Sequence, residues 1–68
     1  MKWRQTECIK YTERAALIQQ EARARRIPAE DLHARATRAG VLTLRDGRQL
    51  IHDARWYLRT PERQAVAQ

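Results

Sequence analysis

Val41-Leu42-Thr43-Leu44-Arg45-Asp46-Gly47-Arg48-Gln49-Leu50-Ile51-His52-Asp53-Ala54-Arg55-Trp56-Tyr57-Leu58 decides the fold, because this stretch carries two incompatible patterns. As a hairpin, Val41 to Leu44 and Gln49 to His52 are strands flanking Asp46-Gly47, the dipeptide that best tolerates positive φ at a tight turn. Asp53 then caps a short helix that runs to Leu58. As a single helix, Thr43 with Asp46 resembles a capping box, and Leu44, Gly47, Ile51, Ala54 and Leu58 recur at intervals of three and four. Gly47 in mid-helix costs only about 1 kcal/mol, which does not exclude the helix. The hairpin makes the chain a small α+β protein; the helix makes it an all-α three-helix bundle.

The preceding segment is punctuated more clearly. Thr12 is an acceptable N-cap, Glu13 suits the positive end of a helix dipole, and Ala15, Ile18 and Ala22 form an apolar stripe. A helix is expected from about Glu13 to Arg26, with Arg23, Arg25 and Arg26 in its last turn and Leu17 off the stripe. Ile27-Pro28 ends it, because a residue before proline is pushed out of the α region. Pro28 at the first helical position, Glu30 and Asp31 in the first turn and Gly40 past the end define a second helix from about Pro28 to Ala39. Leu32, Ala36 and Ala39 share one of its faces. The other carries Glu30, Ala34, Thr37 and Arg38, with His33 on its flank, and is small and polar enough to approach a groove. Before Thr12, the apolar residues Trp3, Ile9 and Tyr11 lack helical spacing, and Cys8 to Tyr11 is a candidate extended segment. The expected organisation is an N-terminal segment over 1–11, a domain over 12–59 and a tail over 60–68. Thr60-Pro61-Glu62 starts like a helix, but Gln64 to Gln68 has too little apolar surface to hold one, so the tail is read as disordered or folding on a partner.

Sixty-eight residues allow one domain, whose core leaves only about 3 to 5 kcal/mol of net stability. Fourteen Lys and Arg against eight Asp and Glu give a net charge of +6, and twelve of the cations are arginine, the side chain suited to bidentate phosphate contacts. An acidic partner is favoured. No run of 18 apolar residues and no apolar stretch behind a basic start are present, so no membrane association is expected and the location is read as cytoplasmic. Cys8 has no internal partner for a disulfide, and two histidines with one thiol lack metal-ligand spacing. There is no serine, Gly40 and Gly47 are the only glycines, and no paired carboxylates face a plausible cleft. The chain is therefore read as neither an enzyme nor a cofactor protein.

The stretch Arg45-Asp46-Gly47-Arg48-Gln49-Leu50-Ile51-His52-Asp53-Ala54 resembles the wing of the small phage excisionases of the lambda type. A basic residue, Asp-Gly-Arg, an apolar strand, then His, an acid and a nearby Ala follow the recognition helix there. Upstream, Pro28-Ala29-Glu30-Asp31-Leu32-His33 and Val41-Leu42 align in order with that helix and the apolar pair ending it, with a link to the wing about two residues shorter. The resemblance spans about Tyr11 to Ala54, and its specific part is the wing. It implies a winged-helix fold, with the second helix in the major groove of double-stranded DNA and the hairpin against the backbone or minor groove. It also implies DNA bending, cooperation with further copies and with an integrase, and a role in directing site-specific recombination toward excision or in related transcriptional regulation. Glu30 matches a base-contacting acid and Arg48 the wing arginine. Two arginine positions of the family's helix fall on Ala34 and Thr37, with Arg35 and Arg38 one residue further on.

The DNA contacts expected on this reading are Glu30, His33, Arg35, Thr37 and Arg38 on the second helix and Arg45 and Arg48 at the turn. Each has a plainer role: Glu30 as a first-turn acid, Arg48 as a solvated turn residue, His33 and His52 in packing. Trp56 and Tyr57, with Leu58, are expected to seal the core against the first helix, at least one of the two aromatics serving there; the alternative for them is a partner-binding patch, since exposed aromatics anchor interfaces. The single-helix reading of the decisive stretch instead gives a basic helical adaptor or inhibitor that binds a host protein.

Overall fold

The contested stretch folds as strands, each held by pairing with a neighbour. The computed structural model describes residues 2–62, in the order β1 (Trp3–Cys8), α1 (Tyr11–Arg25), α2 (Ala29–Ala39), β2 (Val41–Thr43), β3 (Gln49–Asp53) and β4 (Arg55–Pro61). The four strands form one antiparallel sheet in the order β1-β4-β3-β2. The chain is thus an α+β domain of two helices and a four-stranded antiparallel sheet.

Leu42, Leu50 and Leu58 lie side by side in the register and point to the helices, where they meet Ile18, Ala22, Leu32, Ala36 and Leu44. Leu32 and Leu50 are the largest fully buried side chains. Trp56 and Leu58 are half-buried against this core, whereas Tyr57, between them, turns to the opposite face.

Several sequence expectations are corrected. The short helix from Asp53 to Leu58 is absent, and so is the single helix from Thr43 that would have made a three-helix bundle: Arg55–Pro61 is the strand β4. Asp53 cannot cap a helix because Ala54 takes a left-handed conformation at φ 68° and reverses the chain, so that Asp53 opposes Arg55. The strand is held on both flanks, by β3 and by β1, and the second flank comes from residues some fifty positions away. Residues 3–8, expected to lie outside the domain, are one of the two edge strands of its sheet, and Tyr11 begins α1 instead of ending an extended segment. Thr12 lies inside α1; the N-cap is Lys10, whose carbonyl accepts from the Arg14 N–H at 2.9 Å. Ala15 and Ala39 are exposed, and Leu17 packs at the edge of the core. Thr60 and Pro61 belong to β4, while the tail over 63–68 lies outside the described residues.

The second helix ends as read. Gly40 adopts φ 83° and its N–H closes on the Ala36 carbonyl at 2.8 Å. Pro28 serves as N-cap, so the helix begins at Ala29, one residue later than expected. Between β2 and β3, Gly47 takes φ 97° while Asp46 stays at negative φ, so the reversal is a turn closed by Gly47 N–H to Leu44 O at 3.0 Å. Leu44 N–H donates to Arg48 O at 2.8 Å across its base.

Candidate nucleic-acid interface

The helix α2 buries Leu32 and Ala36 and leaves Glu30, Asp31, Ala34, Arg35, Thr37 and Arg38 exposed. Of the residues expected to meet DNA, Arg35, Thr37 and Arg38 therefore share an outward surface. The Thr37 hydroxyl donates to the His33 carbonyl at 2.8 Å, which fixes its rotamer and leaves the oxygen's acceptor capacity outward. Glu30, although exposed, lines a groove of about 380 Å³ between the two helices together with Tyr11, Arg14, Gln19 and His33.

His33 does not join the outward set. Its ring lies 5.4 Å from that of Trp56 on β4, and His52 approaches the same indole at 4.7 Å. Arg14 adds its guanidinium carbon 5.0 Å from the Trp56 ring centroid and 4.9 Å from that of Tyr11, and its buried Nε has no hydrogen-bond partner among the described residues. The cluster brings α1, α2, β3 and β4 together, with the partly buried His33 ring at the Trp56 indole.

At the hairpin turn, Arg48 is engaged with Asp46: its Nε donates to Oδ2 at 2.7 Å and its backbone N–H to Oδ1 at 3.0 Å. Burial alone would raise the Asp46 pKa. The Arg48 backbone N–H, its side-chain hydrogen bond and its charge outweigh that and hold the carboxyl below its ordinary value. The pair is open to solvent, so it shapes the turn more than it stabilises the fold. Arg45, by contrast, is exposed and its side chain forms no ion pair among the described residues.

The turn is anchored by a residue that sequence reading passed over. Glu21 on α1 is buried, its side chain 7% exposed, and Oε2 accepts from Arg25 Nε at 2.9 Å. Its Oε1 accepts from the Arg45 backbone N–H at 3.2 Å, and Arg25 Nη2 donates to the Thr43 carbonyl at 2.9 Å. A carboxylate and a guanidinium thus tie the start of the turn to α1, which sets the direction in which Arg45 leaves the fold. The spacing of Glu21 and Arg25 by four was legible as a helix pair; the contact of both with the turn was not.

Arg4 also reaches this end of the molecule. It falls at the register shift of β1 and lines a groove of about 320 Å³ with Asp46, Arg48 and Pro61. No metal-binding group of three or more His, Cys, Asp or Glu occurs among the described residues, and no described helix is long and apolar enough to cross a membrane. No family model matches the chain, and no curated protein and no solved structure shows significant similarity to it.

Proposed function

We propose that this chain is a small winged-helix protein that binds double-stranded DNA, with α2 in the major groove and the β2–β3 hairpin as a wing on the backbone, in the manner of the excisionases that its hairpin sequence resembles. The observation that carries the reading is the outward surface of α2: Arg35 and Arg38 stand exposed beside small Ala34 and Thr37, and the helix is followed directly by a hairpin bearing Arg45 and Arg48. Small side chains let a helix approach base edges closely, and a guanidinium fork reads guanine or grips phosphate. The net charge of +6 supplies the nonspecific attraction. On this reading Arg38 faces bases, Arg45 and Arg48 face phosphates, and Glu30 with His33 belongs to the groove between the helices. Directing recombination through an integrase and neighbouring copies, or regulating transcription, is the biological role the resemblance attaches to such binding.

The test is duplex binding across a salt series. With about four to six phosphates neutralised, log K falls against log salt with a slope of roughly −4 to −5. Arg38→Ala lowers affinity for a selected site by about 1 to 3 kcal/mol and nonspecific affinity much less. A slope near zero, or an Arg38→Ala protein that binds both as the parent does, rejects the proposal.

A further inference from the structure

The sheet has a second face. The register places Tyr57 and Arg59 of β4, Gln49 and Ile51 of β3, Thr43 of β2 and Trp3 of β1 on the side away from the helices, since they alternate with the core-facing Leu42, Leu50 and Leu58. Among the described residues no helix covers this side. An antiparallel sheet packed on one face usually alternates apolar-in with polar-out. Here the outward side instead carries two aromatics, Trp3 and Tyr57, and two aliphatic side chains, Ile51 and its cross-strand neighbour Val41, interleaved with arginine.

Its polar members are organised. Gln49 Nε2 donates to Thr43 Oγ1 at 2.9 Å, and Gln49 Oε1 accepts from Arg59 Nε and Nη2 at 2.9 and 2.6 Å. The Arg59 guanidinium lies 4.0 Å from the centroid of the Trp3 ring. This ladder crosses all four strands and holds one guanidinium against an indole, with Nη1 free of these bonds. Tyr57 follows two residues away on the same face, about 7 Å along the strand. Arg55 adds a further exposed cation, opposed by a single carboxylate on the face, Asp53.

We propose that this open face binds an extended single strand of nucleic acid. A fixed guanidinium plane and a tyrosine ring at strand spacing are two stacking surfaces for successive unpaired bases, and Arg55 complements the phosphates. Duplex DNA does not suit the face, because its bases are already stacked on one another. The inference concerns a different surface from α2 and does not rest on the duplex-binding proposal.

The experiment is fluorescence anisotropy of a labelled oligodeoxythymidylate with the full chain, in parallel with a labelled duplex. Tyr57→Ala and Arg59→Ala weaken the single-strand complex roughly five- to a hundredfold, the loss of one stacking surface. Arg55→Glu, at an exposed position where the change costs only the cross-strand pairing with Asp53, weakens it several-fold. Arg38→Ala changes it less than twofold. Circular dichroism melts identify variants that have lost the fold, and Arg55→Glu keeps the test decisive if the half-buried sites fail. Oligonucleotide binding absent in the parent overturns the proposal, and so does Arg55→Glu binding as the parent does. Sedimentation showing a parent dimer that Tyr57→Ala dissociates also overturns it, because a second copy would then cover the face.

Discussion

Replacing Glu21 by alanine removes the carboxylate that joins α1 to the hairpin turn. The side chain is 7% exposed and accepts two hydrogen bonds, one from Arg25 Nε at 2.9 Å and one from the Arg45 backbone N–H at 3.2 Å. A hydrogen bond to a charged group contributes about 1.5 to 3 kcal/mol. Arg25 is partly solvated, its side chain 40% exposed, and keeps its bond to the Thr43 carbonyl, so its share belongs at the low end. The Arg45 N–H is left to find water at a part-buried position, which adds about 1 kcal/mol. The sum is a loss of about 2 to 3 kcal/mol, a large part of the stability of so small a domain. Glu21→Gln keeps an acceptor for Arg45 and loses only the charge, so it costs about 1 kcal/mol. Urea unfolding followed by tryptophan fluorescence measures both, and a double-mutant cycle with Arg25→Ala isolates the pair at about 1 kcal/mol. Glu21→Ala unfolding within 0.5 kcal/mol of the parent would refute the claim that this carboxylate holds the turn in place.

Both reversals of the sheet favour glycine. Gly47→Ala at φ 97° destabilises by at least about 1 kcal/mol, and backbone strain accounts for it, since an added Cβ meets only ordinary contact with Pro61 at 3.5 Å. Ala54→Gly at φ 68° relieves the same strain and stabilises by up to about 1 kcal/mol, the unfolded chain's extra freedom offsetting the rest; thermal melts check both. Asp46, whose folded pKa lies below its unfolded value near 3.9, contributes stability that is present above that value and is lost as pH falls through the folded pKa. Acid titration of stability should show a small carboxylate contribution there that Asp46→Asn abolishes. The same carboxylate occupies Arg48, so Asp46→Ala strengthens duplex binding and steepens the salt slope by about one, read by anisotropy across a salt series.

The features legible in the sequence are those whose causes are local. Pro28 and Gly40 bracket α2 because a fixed φ and a tolerated left-handed φ act on single residues, and Asp46-Gly47 marks the reversal for the same reason. The outward place of Arg38 on α2 followed from the helix's own periodicity, with Leu32 and Ala36 choosing the buried side. Between hairpin and helix over Val41 to Leu58, however, local patterns were balanced. The balance was broken by pairing, since β4 is a strand only because β3 and β1 flank it, and Cys8 opposes Tyr57 across most of the chain. Nothing near Asp53 signals that partner, so its capping potential pointed to a helix that does not form. Tertiary packing alone likewise turned His33 onto Trp56, buried Glu21 beneath the turn and set Arg59 on Trp3. Short-range rules state which conformations a segment tolerates; which of them it adopts, and which side chains it leaves free, depends on the apolar surface and hydrogen-bond partners that distant segments bring to it.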